Sequence, residues 1–321
     1  MLIGVPKEIK VRESRVGLVP NSVAELTGRG HSVLVETGAG AGIGAGDDAY
    51  RAAGAEIAAS AADVFAKAEM IVKVKEPQPN EWVQLSADQI LFTYLHLAAD
   101  MAQTRGLMES GCTAIAYETI TDDAGGLPLL APMSEVAGRL SVIEGAANLK
   151  ANAGGRGLLI SGVPGTSPAE VVVIGGGVVG TNAAKMAIGL GARVTVLDRS
   201  VPRLRQLDDI FGNAITTRYS SRAIIEEVCR EADLVIGAVL IPGASAPKLI
   251  SRDFLSSMKP GSVPLTSSEA LNNATLPHVL ALAEHGVAAL DRDPHLANGL
   301  NVRGGEVTFD AVLEAMQAEA A

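Results

Sequence analysis

Short apolar runs alternate with helix-like segments from the first residues of the chain. Apolar runs with β-strand character recur along this part of the sequence, and segments with helical periodicity separate them. The strand-like runs are LIGV, HSVLVET, MIVKVK, QILFTYLH and TAIAYET. Strands that alternate with helices in this way form βαβ units around a largely parallel sheet. A polar passage rich in Gly and Pro, TDDAGGLPLLAP, ends this first series near residue 128.

A second series of the same kind follows a helix-like segment that begins at Ser134. It contains the strand EVVVI, a glycine-rich turn, a helix and the strand RVTVLD, and two more units begin with AITTRY and DLVIGAVL. Near the C terminus, LNVRGGEVTF predicts a hairpin that turns on Gly304 and Gly305. The two series predict an α/β fold with two Rossmann-like domains and parallel sheets.

Size and charge narrow the class of protein. A chain of 321 residues exceeds the size at which one hydrophobic core stops growing, so two domains are expected. The formal net charge of -10 argues against binding to nucleic acid and against adhesion to anionic lipid. Small-molecule partners are therefore expected.

The cysteines and apolar runs indicate a soluble cytoplasmic protein. Cys112 and Cys229 lie far apart in sequence, form no disulfide framework and suit a reducing compartment. The apolar run at the N terminus is too short for the core of a signal peptide. The run LVIGAVLIPG is about half the length that a bilayer requires. The spacing of His and Cys predicts no metal site.

The strongest local signal is the turn Gly175–Gly180, with the sequence GGGVVG. It follows an apolar strand and opens a helix, and Asp198 stands 23 positions after Gly175 at the end of the next strand. In this context glycines allow the backbone to approach a pyrophosphate, and the carboxylate binds the ribose hydroxyls. Asp198 favours NAD over NADP, although Arg199 and Arg203 weaken that preference. A tight turn without a ligand is the alternative.

Two strands of the first series end in groups that titrate or carry charge. MIVKVK ends at Lys75 and QILFTYLH ends at His96. If these strands are neighbours, both side chains project into the crevice at the carboxyl edge of the sheet, where ligands bind. His96 then suits proton transfer, and Lys75 and Arg15 suit an anionic or carbonyl group. Solvated side chains at strand ends are the alternative.

The chain as a whole resembles the alanine dehydrogenases, which are related to the nicotinamide-binding subunit of proton-translocating transhydrogenase. The resemblance covers nearly the full length, and several of its segments are specific rather than generic to nucleotide-binding folds. The matching segments include GVPKEIKVRESRVGLVP, VKVKEP, ILFTYLHLAA, AIAYET, LPLLAPMSEVAGRL, VVVIGGGVVGTNAAKMAIGLGARVTVLD, ADLVIGAVLIPGASAPKLI and ALNNATLP.

The resemblance implies reversible oxidation of L-alanine to pyruvate and ammonia with NAD. It implies that Arg15 and Lys75 bind the substrate and that His96 is the acid and base. It further implies a homo-hexamer in which an NAD-binding domain, 129–263, is inserted into a substrate domain made of residues 1–128 and 264–321. The implied cofactor contacts are Ser134, Gly175, Gly177, Val178, Val179, Gly180, Asp198, Arg203, Ser220, Val239 and Leu240.

The resemblance also implies that a segment is missing after Val263. There the family has a strand that runs into an Asp-Gln-Gly-Gly loop, another strand and a turn near the nicotinamide. These elements amount to about 30 to 40 residues, and they include an acidic residue that the family uses in catalysis. A true deletion leaves DLVIGAVL as a sheet edge, and little activity is then expected. Alternatively, the full protein contains the segment, or another element takes the place of the missing strand.

Two other functions stay open at this point. One is a transhydrogenase-like subunit that passes hydride between nucleotides. The presence of Arg15, Lys75 and LHLAA, and the absence of a membrane segment, argue against it. The other is a catalytically impaired NAD-binding homologue with a regulatory or assembly role.

Overall fold

The computed structural model describes residues 1–241, 249–251, 254 and 269–320. These residues form two compact units. The first unit comprises Met1–Pro132 together with residues 269–320, and the second comprises residues 133–241, 249–251 and 254. The predicted domain boundary at residue 128 stays a prediction, and the one at residue 263 lies outside the described residues, as does the predicted seam between Val263 and Pro264.

Strands and helices alternate through most of the described chain. The strands are β1 (Leu2–Val5), β2 (Ser32–Glu36), β3 (Glu56–Ala58), β4 (Met70–Val72), β5 (Ile90–Thr93), β6 (Thr113–Ala116), β7 (Glu170–Ile174), β8 (Arg193–Asp198), β9 (Ile215–Tyr219), β10 (Leu234–Gly237), β11 (Leu300–Arg303) and β12 (Glu306–Val307). The helices are α1 (Pro20–Gly28), α2 (Asp47–Ala52), α3 (Ala61–Lys67), α4 (Pro79–Trp82), α5 (Met101–Ser110), α6 (Ala131–Asn148), α7 (Val178–Gly189), α8 (Val201–Phe211), α9 (Arg222–Glu231), α10 (Glu269–His285), α11 (Ala289–Arg292), α12 (Pro294–Ala297) and α13 (Asp310–Ala320).

The first unit contains a sheet of eight described strands in the order β12-β11-β6-β5-β4-β1-β2-β3. The six strands from the N-terminal half are parallel, as the alternating pattern predicts. β4 and β5 lie in the middle of this sheet, and all their residues are buried. Near-continuous apolar strands of this kind are typical of a parallel sheet covered on both faces.

Both ends of the described chain contribute to this sheet. The hairpin predicted on Gly304 and Gly305 is present as the antiparallel pair β11 and β12, and both glycines have positive φ. β11 also pairs antiparallel with β6. Val302 and Val312, from the C-terminal part, are buried in the same core cluster as Leu91 and Ala114.

The second unit has a parallel sheet in the order β10-β7-β8-β9 among its described strands. If the strands of this unit are numbered along the chain and the sheet is followed from β9 to β10, the order is 3-2-1-4. A dinucleotide-binding sheet begins with this order. Within the described residues β10 is an edge strand. α6 begins at Ala131, three residues before the predicted start at Ser134, because the first turn of a helix accepts Pro132.

Both cysteines are free and buried, Cys112 in the first unit and Cys229 in the second. They act as small apolar groups. Among the described residues, every helix is too short or too polar to cross a bilayer.

Candidate active site

Lys75 and His96 lie at the same edge of the first unit's sheet. β4 and β5 are neighbours, which meets the condition of the sequence prediction. Each residue follows the last residue of its strand by three positions, so the strands are shorter than predicted. Pairing persists beyond both ends, because Tyr94 N–H donates to the Val74 carbonyl at 3.3 Å and Thr93 Oγ1 donates to the Lys75 carbonyl at 3.0 Å.

The segment that carries Arg15 packs directly on the end of β4. Gly17 makes this approach possible, since a Cβ at that position would lie 2.3 Å from the Val72 carbonyl oxygen. The Arg15 guanidinium binds Glu13 with two hydrogen bonds, from Nε at 2.8 Å and from Nη2 at 2.5 Å. Burial alone would raise the pKa of Glu13, but the bonds from Arg15 outweigh it and lower that pKa. Glu13 is therefore ionised and fixes the guanidinium plane.

Lys75 is the cation of this edge that is open to a ligand. The residue is half-buried, and within the described part of the chain no group lies within ion-pair distance of its ammonium. Burial, and then the charges of Lys10 and Arg15, lower the pKa of Lys75. A partly desolvated ammonium without a close carboxylate is suited to bind an incoming anion or carbonyl oxygen.

His96 has a left-handed backbone, with φ 53 and ψ 39. Its N–H donates to Glu118 Oε1 at 2.6 Å, and the Leu95 N–H donates to the same carboxylate at 3.2 Å. The imidazole is 46% exposed. Loss of solvation lowers the pKa of His96. Glu118 opposes this effect, and Lys75 adds to it. The ring is thus neutral near pH 7 and able to accept a proton.

A buried network of charges supports the loop that carries Lys75. Lys73 is fully buried and binds Glu81 at 2.8 Å and Glu8 at 3.2 Å. Glu8 also accepts the N–H groups of Val74, at 2.6 Å, and of Lys75, at 3.3 Å. Burial alone would lower the pKa of Lys73, but the two carboxylates raise it above its ordinary value. Glu8 therefore ties the backbone of Lys75 to the N-terminal segment.

Replacing Lys73 with methionine tests this network. Lys73→Met leaves the carboxylates of Glu8 and Glu81 buried without their cation, which is expected to cost about 3–5 kcal/mol of unfolding free energy. Denaturant titration of the parent and the variant measures the difference. Lys67→Met is the matched control, because Lys67 lies at the exposed end of α3. A loss below about 1 kcal/mol, the scale of a surface ion pair, would contradict this account.

The second unit carries the glycine turn in the predicted strand–turn–helix context. β7 ends at Ile174, α7 begins at Val178, and no side chain caps the N-terminus of that helix. Gly177 is exposed, and a Cβ there would meet nothing within 4 Å. A Cβ on Gly180 would lie 1.8 Å from the Gly175 carbonyl oxygen. The turn therefore presents open backbone at a helix N-terminus, which fits the pyrophosphate of a dinucleotide.

Asp198 and Arg203 are bound to this turn. Asp198 accepts the Gly176 N–H at 2.7 Å and the Ser200 N–H at 2.8 Å, which leaves lone pairs on both oxygens for ribose hydroxyls. Arg203 donates to the Gly176 carbonyl at 2.7 Å and to Thr181 Oγ1 at 2.7 Å. These bonds direct the Arg203 guanidinium to the turn, so Arg203 supports the loop. The Asp198 carboxylate, together with this use of Arg203, fits NAD rather than NADP.

The remaining predicted cofactor contacts also belong to the second unit. The Ser220 N–H donates to the Asp198 carbonyl at 2.9 Å. Val239 lies over the turn, since its Cγ2 is 3.0 Å from where a Cβ of Gly175 would stand. Ser134 is half-buried in the first turns of α6, and Leu240 is 53% exposed. Their roles as contacts stay predictions.

Family models cover most of the chain. The model described as Alanine dehydrogenase/PNT, N-terminal domain, matches residues 4–137. The model described as Alanine dehydrogenase/PNT, C-terminal domain, matches residues 141–264 and 260–310.

The chain belongs to the alanine dehydrogenase/PNT family. Alanine dehydrogenase of Halomonas elongata is 52% identical over 362 residues, with 99% of this chain and 98% of that protein covered. Alanine dehydrogenase of Bacillus subtilis is 48% identical, with 97% and 94% covered. The solved structure of an L-alanine dehydrogenase has a TM-score of 0.88 at 46% identity, with 99% of each chain covered. The family resemblance and the α/β fold inferred from the sequence are thus confirmed.

A more distant structure shows the same fold. The transhydrogenase from Sinorhizobium meliloti is 24% identical, has a TM-score of 0.76 and is covered completely, while 96% of this chain is covered. At this identity the likeness extends to the fold alone.

The alignments with the alanine dehydrogenases are longer than this sequence. The alignment with the Halomonas protein runs over 362 positions, so at least 41 of them, 362 minus 321, have no residue here. The C-terminal family model matches in two pieces that divide at residues 260–264. That division coincides with the predicted break after Val263.

Sequence reasoning missed the carboxylates that hold the basic groups. Glu8, Glu13 and Glu118 each bind the segment of one predicted site residue. Glu118 follows β6 by two residues, and β6 is the neighbour of β5. The rule of neighbouring strand ends, which selected Lys75 and His96, would therefore also have selected Glu118.

Proposed function

We propose that the protein catalyses the NAD-dependent oxidative deamination of L-alanine to pyruvate and ammonia, and the reverse reductive amination. The observation that carries this proposal is the group of Arg15, Lys75 and His96 at one sheet edge of the first unit, in a chain 46–52% identical to several alanine dehydrogenases over nearly its full length. The carboxylate or carbonyl group of the substrate supplies the close partner that the Lys75 ammonium lacks among the described residues.

Arg15 and Lys75 bind the substrate in this proposal. Glu13 holds the Arg15 guanidinium in a fixed plane, and that plane is suited to a carboxylate. The Lys75 ammonium binds the carbonyl oxygen of pyruvate, or the carboxylate of alanine, as a point charge. Glu8 fixes the Lys75 backbone, so the ammonium is held before the substrate arrives. Such preorganisation places the Cα–H bond of alanine for reaction.

His96 transfers the protons. Alanine reacts with its amine in the deprotonated form, so loss of the Cα–H hydride leaves iminopyruvate. Water then adds to Cα, and His96 takes the proton that this water loses. His96 returns this proton to the nitrogen of the carbinolamine, the C–N bond breaks with release of ammonia, and His96 accepts the hydroxyl proton as the carbonyl of pyruvate forms. A neutral imidazole is required to begin in this direction, and the lowered pKa of His96 provides it.

NAD, when bound, accepts the hydride from Cα. In this proposal the backbone of Gly175–Gly180 holds its pyrophosphate, and Asp198 holds the adenosine ribose. Ser134, Ser220, Val239 and Leu240 complete the cofactor contacts, and Arg203 acts from beneath the turn by fixing the Gly176 carbonyl.

The setting of the reaction is part of the proposal. We infer a cytoplasmic homo-hexamer that acts in L-alanine catabolism, because the resemblance implies this assembly. Two free thiols, both buried, are consistent with a reducing compartment.

A pH series of steady-state assays tests the proposed function. With L-alanine and NAD, kcat/KM is expected to fall as the pH decreases through the pKa of His96, below the ordinary histidine range, because protonation removes the base. With pyruvate, ammonia and NADH, the same group must start protonated, so kcat/KM falls as the pH rises through that pKa. Absence of NADH, pyruvate and ammonia at every pH would refute the function.

A further inference from the structure

Glu118 is a buried carboxylate that contacts the backbone of Leu95 and His96, just after β5 in the first unit. It follows β6 by two residues and is 5% exposed. Its carboxylate accepts the N–H of Leu95 at 3.2 Å and the N–H of His96 at 2.6 Å. A buried charge needs partners of this kind, and backbone N–H groups are strong ones.

These hydrogen bonds hold an unusual backbone. Left-handed φ costs free energy for any residue with a Cβ, and among the described non-glycine residues it occurs only at Arg12 and His96. In the left-handed turn, consecutive N–H groups converge on one side, where Glu118 binds them. The carboxylate therefore stabilises the turn that brings the imidazole to the sheet edge.

Glu118 also faces one particular atom of the ring. His96 Nδ1 lies 3.7 Å from Glu118 Oε1, and Nδ1 is the nearer of the two ring nitrogens. This distance is too long for a hydrogen bond but short enough for a strong charge interaction. A proton on Nδ1 is favoured next to the carboxylate, and that leaves Nε2 as the basic atom.

We propose that Glu118 is a positioning residue for His96, which fixes the left-handed turn and the Nδ1–H tautomer so that Nε2 exchanges protons with the substrate. This proposal rests on the proposed function only in naming the substrate. The contacts between Glu118 and His96 exist without it.

Other charged and titratable groups also surround the His96 ring, and the charged ones change its pKa. Lys75 follows β4, and Lys10 comes from the N-terminal loop; both disfavour the imidazolium. Tyr94 stacks on the imidazole with ring centroids 5.8 Å apart, and its hydroxyl donates to the Leu129 carbonyl. Glu118 is the group that favours the imidazolium. Removing the charge of Glu118 is therefore expected to lower the pKa of His96.

The test is an NMR titration of the His96 ring nitrogens in the full chain, with the His96→Asn variant used to assign the signals. In Glu118→Gln the amide oxygen still accepts backbone N–H groups, but the charge is gone. The pKa of His96 is expected to fall, and the acid limb of kcat/KM for L-alanine is expected to move with it to lower pH. The nitrogen shifts are expected to report a smaller share of the Nδ1–H tautomer, and kcat to fall by about tenfold, a part of the effect of a general acid–base group.

A matched variant separates positioning from general structural support. Glu36→Gln also neutralises a half-buried glutamate that accepts a backbone N–H, that of Lys7 at 2.7 Å. It is expected to leave the pKa and the tautomer of His96 unchanged. Glu118→Asp keeps the charge on a shorter side chain and is expected to restore most of the His96 pKa.

The outcomes distinguish this proposal from the function. An unchanged pKa and tautomer of His96 in Glu118→Gln would overturn the positioning role, even in an enzyme that oxidises alanine. Absence of turnover in the parent would refute the function, while the titration would still decide the role of Glu118. If Glu118→Gln does not fold, Glu118→Asp decides: the longer distance to Nδ1 predicts a pKa below that of the parent, and an identical value overturns the proposal.

Discussion

Replacing His96 with asparagine is expected to lower kcat for L-alanine oxidation by about 10²–10⁴-fold, the range for loss of a general acid–base group. Asparagine is suited to this position because it tolerates the left-handed backbone that His96 adopts. The variant therefore removes the proton-transferring ring while keeping the turn that Glu118 binds. Steady-state rates with saturating L-alanine and NAD measure the loss.

The control for this variant is His295→Asn. His295 also belongs to the first unit, where it binds Thr121 and Asp123 and has no place in the proposed mechanism. It is expected to leave kcat unchanged. NAD affinity is expected to be unchanged in both variants, since the glycine turn belongs to the other unit. A kcat for His96→Asn within about threefold of the parent would remove His96 from the chemistry, since a general acid–base group contributes at least about a hundredfold.

The glycine turn gives the second large effect. In Gly180→Ala the new methyl group would lie 1.8 Å from the Gly175 carbonyl oxygen, so the turn must shift. Overpacking of this kind costs about 1–3 kcal/mol of unfolding free energy. A shifted turn also loses one or two charge-assisted hydrogen bonds to the pyrophosphate, at about 1.5–3 kcal/mol each. The Kd for NAD is expected to rise by about a hundredfold or more, as measured by calorimetry.

Two further glycines separate folding from binding. Gly177→Ala places a methyl group in open space, so stability is expected to stay near the parent value while NAD affinity falls, because that space is the proposed pyrophosphate site. Gly189→Ala, in the last turn of the same helix, also meets nothing within 4 Å. It is expected to stabilise the chain by up to about 1 kcal/mol and to leave NAD affinity unchanged. Equal NAD affinity in Gly177→Ala and Gly189→Ala would contradict the placement of the pyrophosphate.

The sequence predicted the two sheets and the meeting of Lys75 with His96, since both follow from the order of elements. Parallel strands with apolar character place their carboxyl ends together, and β4 and β5 are neighbours in the sheet. The glycine turn and Asp198 were likewise predictable, because their spacing is local and their contact follows from adjacent strands.

The sequence pattern did not predict where the strands end. The periodic pattern predicted that β4 extends to Lys75. In the structure, the N–H groups of Val74 and Lys75 bind Glu8, which is more than sixty positions away in the chain. At the end of β5, Glu118 takes the N–H groups of Leu95 and His96 in the same way. A carboxylate that replaces a neighbouring strand as acceptor leaves no periodic signal, so these contacts required the fold.

The break after Val263 was predicted by a different kind of reasoning. No hydrophobic pattern marks an absence, and only comparison of KPGSV with the family's continuation placed the break after Val263. The divided match at residues 260–264 and the longer alignments agree with that position. The basic residues and carboxylates of the candidate site precede the break, as does the whole glycine turn.

Transfer of deuterium from L-alanine labelled at Cα tests the central claim most directly. The purified chain, supplied with the labelled substrate and NAD, is expected to form NADH that carries the deuterium, with equal amounts of pyruvate and ammonia. Mass spectrometry of the nicotinamide product makes the measurement, and His96→Asn is expected to lose nearly all of it. Binding of NAD without formation of labelled NADH would contradict the account.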